Sequence, residues 1–206
     1  MGSIVFNSDC VEGMKQFPDK YFDLAVVDPP YGLMDRMYNG GNRNRSTVKF
    51  KNHIQKKRWD VSIPEQTYFD ELFRVSKNQI IWGGNYFPLR PSRTFICWDK
   101  MVYAPTMSQV EMAWTSFDSP ARLIKINNND DNRIHPTQKP VALYDWIYKN
   151  YAEHGQRILD THLGSGSNRI SAHKYKMDFT AFEIDKEYFD KQEQRYRDFI
   201  SQTTLF

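Results

Sequence analysis

Two stretches of this sequence combine residue types whose chemistry is more than structural. The first is Asp28-Pro29-Pro30-Tyr31. The apolar run before it, Phe-Asp-Leu-Ala-Val-Val, reads as a buried strand, so Asp28 stands where a strand ends in a loop. Two prolines then restrict the backbone and contribute carbonyls with no amide donors of their own. A tyrosine ring follows. A carboxylate, free carbonyls and a ring face together suit a planar substrate bearing an NH2 group: Asp28 and the Pro29 carbonyl accept its hydrogens and Tyr31 holds the ring. The plain alternative is a proline-rich turn.

The second stretch runs Asp160-Thr161-His162-Leu163-Gly164-Ser165-Gly166-Ser167, between a short apolar run and a helical pattern. Glycines let backbone approach a ligand closely, and the helix N-terminus beyond them offers free amides. The next apolar run ends in Glu183-Ile184-Asp185, about twenty residues on, where an acid can hold ribose hydroxyls. A nucleoside-containing cofactor fits the pair. Alone, a Gly-x-Gly turn is weak evidence. The full dinucleotide fingerprint is absent, because Arg169 stands where its third glycine would fall.

The elements around these stretches alternate strand and helix, which predicts an α/β sheet with crossover helices. Strands are expected over residues 3–7, 22–28, 79–82, 94–98, 109–115, 121–126, 157–160 and 179–183. Helices are expected over 64–76, 140–151, 168–176 and 186–200. Nothing divides residues 1–206 into more than one domain, and 206 residues suit one.

Composition narrows the class further. Hydrophobic residues make up 40% and charged residues 26%, with a mean hydropathy of −0.71, so a folded globular chain is expected rather than a disordered one. No apolar run approaches the roughly 20 residues of a membrane helix, and the N-terminus lacks a secretory pattern. With two cysteines, Cys10 and Cys97, no disulfide framework is available, and a cytoplasmic setting is expected. His53, His154 and His173 show no ligand spacing, so no metal is expected.

The net charge of +3 is unevenly spread. Arg36, Arg43, Arg45, Lys49, Lys51, Lys56, Lys57 and Arg58 fall in a stretch with no acid, so the remaining chain is net acidic. Residues 32–60 therefore read as a basic loop, mobile until a polyanion orders it, and those eight residues are its candidate DNA contacts. A solvated surface loop is the alternative.

Taken together, these motifs resemble the β-class of DNA amino-methyltransferases. Asn7-Ser8-Asp9-Cys10 is similar to the family's motif on the cofactor's adenine, and Asp28-Pro29-Pro30-Tyr31 to its catalytic motif. His135-Pro136-Thr137-Gln138-Lys139-Pro140 resembles the motif before the cofactor strand. Residues 160–167 resemble the cofactor glycine loop and Glu183-Ile184-Asp185 the ribose-binding acid. The order, catalytic motif first and cofactor loop last, is that of the β-class.

The resemblance implies a circularly permuted Rossmann-like fold, a mostly parallel twisted sheet with an antiparallel edge hairpin. It implies transfer of a methyl group from S-adenosyl-L-methionine to adenine in double-stranded DNA, with base flipping and a homodimer. Asp28, Pro29, Pro30 and Tyr31 would be catalytic. Asp9, Cys10, Asp28, Thr137, Lys139, Asp160, His162, Gly164, Ser165, Gly166, Glu183 and Ile184 would hold the cofactor, with Thr137 and Lys139 on the methionine carboxylate.

One departure is local: the family usually has Asp-Pro-Phe where this chain has Asp160-Thr161-His162. The alternatives are methylation of cytosine's exocyclic amine, more often accompanied by Ser at the position of Asp28, and a non-catalytic DNA-binding scaffold subunit.

Overall fold

A computed structural model of the chain describes residues 2–33, 60, 62–102, 108–128 and 133–203. The eight basic candidates between Arg36 and Arg58 lie outside these residues. The described chain forms an eight-stranded sheet with helices on both faces. Its strands are β1 (Ser3–Phe6), β2 (Phe22–Val27), β3 (Ser76–Trp82), β4 (Phe95–Asp99), β5 (Val110–Thr115), β6 (Arg122–Lys125), β7 (Arg157–Asp160) and β8 (Asp178–Phe182). The helices are α1 (Cys10–Met14), α2 (Gln66–Val75), α3 (Val141–Tyr151), α4 (Ser167–Lys174) and α5 (Lys186–Thr203).

The strand order is β1-β8-β7-β2-β3-β5-β4-β6. Every pairing is parallel except those of β5 with β3 and β4. The antiparallel β4–β5 hairpin was expected at the sheet edge. It sits one strand inside, because β6 adds in parallel outside β4. From β2 the chain crosses through α2 to β3 on one side, and from β7 through α4 to β8 on the other. The order therefore reverses between β2 and β7. In open α/β sheets, ligands bind at the carboxyl ends of the strands where the order reverses.

Strand β2 shows why the core has two halves. All of its residues but Asp23 are buried, and successive side chains face opposite sides. Leu24 and Val26 pack with Leu143, Tyr144, Ile147 and Tyr148 of α3 and with Ala172 of α4. Ala25 and Val27 pack with Met14 of α1 and with Tyr68, Phe69, Leu72 and Val75 of α2. A central parallel strand must be apolar on both faces, which is why this run lacks alternation. Burying each large side chain contributes about 1.5–3 kcal/mol.

Most element boundaries fall within three residues of those read from the sequence. Strand β3 begins at Ser76, three residues earlier than expected, directly where α2 stops. Ser76, Lys77 and Asn78 are polar and carry no strand signal, but the Ser76 hydroxyl donates to the Leu72 carbonyl at 2.5 Å and Lys77 pairs with Asp23 of β2 at 2.6 Å. The five-residue α1 was not expected. Asp9 caps it, accepting from the amides of Val11 and Glu12 at 2.8 and 3.0 Å.

Candidate functional site

Asp28 follows the last residue of β2, at the carboxyl end of the sheet and beside the reversal point. Its Oδ1 accepts from the Tyr31 hydroxyl at 2.5 Å. Its Oδ2 accepts from the Lys139 ammonium, also at 2.5 Å. Asp28-Pro29-Pro30-Tyr31 and the motif His135 to Pro140, more than a hundred residues apart, thus meet in one cluster. The intervening prolines, with Pro29 buried, hold the turn that brings Tyr31 back over Asp28.

Tyr31 lies in an aromatic corner. Tyr86 stacks on it with ring centroids 5.2 Å apart and planes 20° apart, and Phe87 meets it edge-on at 6.1 Å. Gly83 is the residue that admits the ring. Its φ is +70°, and a Cβ there would lie 2.2 Å from the Tyr31 ring. Burial, with Asp28 beside it, pushes the Tyr31 hydroxyl well above the ordinary tyrosine range, so it stays protonated and donates.

Lys139 is 4% exposed at its side chain and faces two carboxylates. Besides Asp28 it approaches Glu111 of β5 at 3.2 Å, and Glu111 accepts in turn from Lys100 at 3.1 Å. Burial alone would lower the Lys139 ammonium, but Asp28 and Glu111 outweigh it and hold the group above its ordinary value. Burial would likewise raise Glu111, yet Lys139 and Lys100 keep it below the usual carboxylate range. The resemblance implied a ligand carboxylate as the partner of Lys139; in the structure its ammonium is bonded to Asp28.

The neck of the basic segment closes beside this cluster. Asp60, 4% exposed, accepts from the amides of Gly32 and Leu33 at 2.8 and 3.1 Å. Chain leaving Tyr31 and chain returning at residue 60 are therefore tied together. Burial raises the Asp60 carboxyl above its ordinary value.

Across the reversal point lies the glycine turn. Gly164 and Gly166 have φ of +54° and +76°, and α4 starts at Ser167 with no side-chain cap among the described residues. Glu183 follows β8, and its Oε2 accepts from the Gly164 amide at 2.8 Å. His135 rests over the turn, its ring 3.6 Å from where a Gly164 Cβ would stand and packed on Tyr188 of α5. Thr137 keeps its hydroxyl 3.2 Å from His135 Nδ1. Ser165 and Ser167 are buried and hydrogen-bonded to each other at 3.1 Å, and Arg195 of α5 donates to the Ser165 carbonyl at 2.8 Å.

Asp160 and His162 complete the turn. Asp160, 3% exposed, accepts from Asn168 at 2.8 Å and from the His162 amide at 3.0 Å. Burial, with Asp28 and Glu183 adding to it, pushes its carboxyl up to about 7 against the bond from Asn168. His162 is half-buried, with Nδ1 2.9 Å from the Thr161 hydroxyl, which also meets the Tyr68 hydroxyl at 2.7 Å. Burial pushes this imidazole down to about 4, so it is neutral near pH 7. On the far side of Glu183, Asp9 and Cys10 start α1, and Ile184 is 69% exposed. Cys10 packs with Met14, Tyr68 and Phe182, and burial pushes its thiol up to about 12.

Sequence reasoning missed Glu111, Lys100, Asp60 and Tyr68. The first offers one signal, an acid inside the strand Val-Glu-Met-Ala-Trp-Thr. The others reach the site only through long-range packing.

Residues 44–194 match the N6_N4_Mtase family, described as DNA methylase. The chain belongs to this family of amino-methyltransferases that modify DNA. YubD of Escherichia coli (strain K12) is 23% identical over 91% of this chain and 87% of its own length. The PvuII DNA methyltransferase (cytosine-N4-specific) shares the fold with a TM-score of 0.65 at 14% identity, over 98% of this chain and 92% of that one. M1.HpyAVI, solved with S-adenosylmethionine, gives 0.57 at 18% identity over 94% and 100%. TTHA0409 of Thermus thermophilus, complexed with S-adenosyl-L-methionine, gives 0.60 at 14% over 97% and 96%.

Proposed function

We propose that this protein transfers a methyl group from S-adenosyl-L-methionine to the exocyclic amine of adenine in double-stranded DNA. The observation that carries this reading is the setting of Asp28. It is a carboxylate at a strand end, oriented by Tyr31 and Lys139, and the Tyr31 ring beside it is packed against Tyr86 and Phe87. A carboxylate oxygen can accept more than one hydrogen bond, so both remain able to receive an amine hydrogen.

The donor set beside it fits a nucleoside cofactor. Glu183 already accepts from two backbone amides, Gly164 and Asp185, and retains lone pairs for ribose hydroxyls. Gly164 and Gly166 keep side chains out of the turn, and the open N-terminus of α4 suits a carboxylate, with Ser165 and Thr137 nearby. Ile184 offers an apolar face to an adenine ring, and Asp9 and Cys10 bound the same side. When bound, S-adenosyl-L-methionine supplies an electrophilic methyl on a sulfonium.

The chain's own groups then prepare the nucleophile. Adenine's amine lone pair is delocalised into the ring and attacks poorly. Hydrogen bonds to Asp28 and the Pro29 carbonyl favour a pyramidal nitrogen whose lone pair points at the methyl. Positioning and electrostatics supply the rate, because positive charge develops on the nitrogen beside Asp28. The methylated aminium is acidic and passes its proton to water, so Asp28 acts as a hydrogen-bond acceptor. The base must leave the duplex first, which costs a few kcal/mol; stacking in the Tyr31 corner offsets part of this. The basic segment, from Arg36 to Arg58, supplies phosphate contacts, and a homodimer extends the DNA surface.

Incubation of the purified protein with unmethylated genomic DNA and donor, then digestion to nucleosides and mass spectrometry, tests the assignment. N6-methyladenine is expected. N4-methylcytosine, the product class of the PvuII neighbour, overturns the base assignment while keeping the chemistry.

A further inference from the structure

Lys139 poses an electrostatic difficulty that Glu111 resolves. The ammonium sits 2.5 Å from Asp28, the group that must favour a positive charge developing on the substrate nitrogen. A lone buried cation there would oppose the reaction as much as Asp28 assists it. Lys139 is not alone. Glu111, on β5, which runs antiparallel to both of its neighbours, reaches it at 3.2 Å.

We infer that Glu111 is a positioning residue for methyl transfer: by balancing the buried Lys139 charge, it lets Lys139 orient Asp28 without cancelling the negative field at the reacting amine. The inference rests on the reading of Asp28 as the group that faces this amine.

The charge count supports it. Asp28, Lys139 and Glu111 together carry one net negative charge, and Lys100, 3.1 Å beyond Glu111, brings the chain of four to neutrality at its far end. Without Glu111, Lys139 and Lys100 face Asp28 alone and the cluster is net positive. The cations of this cluster cannot leave easily, since Lys139 and Lys100 have side chains only 4% and 9% exposed. Lys139 also lies over the rings of Trp82 at 5.3 Å and Tyr31 at 5.7 Å, which fixes its place between the two acids. Glu111 makes no bond to the glycine turn among the described residues, so its effect belongs to the methyl-transfer step and not to donor binding.

The test is steady-state methylation of unmethylated genomic DNA with tritiated S-adenosyl-L-methionine. Glu111→Gln should lower kcat on the order of 10- to 100-fold while the KM for the donor stays within about twofold. Glu111→Asp, which restores the charge, should recover much of the loss. In a Lys139→Gln background, Glu111→Gln should cost several-fold less than it does alone, because only Lys100, the more distant of the two cations from Asp28, is then left unbalanced. Wild-type kcat in Glu111→Gln overturns the proposal, as does a full additional penalty in the Lys139→Gln background. So does a matched rise in KM for donor and DNA with a lowered melting temperature, the mark of a merely structural residue. A wild-type protein that methylates no DNA amine is a different failure, that of the underlying functional reading.

Discussion

Asp28 has two donors from its own chain, and each constrains what a substitution does. Asp28→Ala frees the Tyr31 hydroxyl but leaves Lys139 with Glu111 as its counter-ion, so no buried ammonium is orphaned. The variant should fold, bind S-adenosyl-L-methionine and lose turnover on the order of a thousandfold. Single-turnover methylation checks the rate, and near-normal turnover would remove Asp28 from the mechanism. Glu183 behaves differently, because it accepts from the Gly164 and Asp185 amides as well as facing the ribose. Glu183→Ala should weaken donor binding by about 1.5–3 kcal/mol, measured by calorimetry, through loss of charge-assisted hydrogen bonds. Unchanged affinity would move the ribose elsewhere. The sequence singles these residues out because each belongs to a short motif whose members lie together locally. It does not single out Glu111 and Lys100, since they meet each other only through the β4–β5 pairing and meet Lys139 only through the fold.

At the scale of elements, glycines decide how closely the site's parts approach. Gly83 follows β3 in the left-handed region, with the Tyr31 ring where a Cβ would go. Gly83→Ala must push Tyr31 aside and break its hydrogen bond to Asp28, besides costing roughly 1 kcal/mol of backbone strain. Turnover should fall at least tenfold while donor affinity holds, because the cofactor turn is a separate element. Gly155→Ala is the control: its φ is +79°, but nothing lies within 4 Å of the added carbon. Equal losses of activity in both variants would mean that strain, not Tyr31, is responsible. The elements themselves were largely readable. Apolar runs marked the central strands, and proline or glycine marked their ends. The hairpin's inward place was not readable, because adding β6 outside β4 depends on pairing between Phe-Ile-Cys-Trp-Asp and Arg-Leu-Ile-Lys, which no local pattern specifies. Arg169 shows the same limit. Where a third glycine was sought, it instead bonds Ser3, Gln192 and Glu193, tying α4 to β1 and α5.

Over the whole molecule, stability against pH should carry two opposed contributions from one turn. Asp160 is held up to about 7, above its ordinary 3.8, so between those values the folded chain binds more protons there than the unfolded chain. Its contribution makes stability fall as pH rises from about 4 to 7. His162 is held down to about 4, below its ordinary 6.5, so over nearly the same interval the unfolded chain binds more protons. Its contribution makes stability rise with pH. The two nearly cancel between about pH 4 and 6.5, and this turn should leave little pH dependence in the wild type. Single variants unmask each half. His162→Phe, the residue usual in the family, keeps only the Asp160 effect, and unfolding free energy should decline with pH relative to wild type. Asp160→Asn keeps only the His162 effect, and stability should climb. Each slope is bounded by about 1.4 kcal/mol per pH unit, the linkage of one proton. Urea denaturation at intervals between pH 4.5 and 6.5 measures both. Parallel curves for the three proteins would show that neither group titrates abnormally, whereas slopes of opposite sign would show that His162 cancels the pH dependence that the buried acid alone would impose.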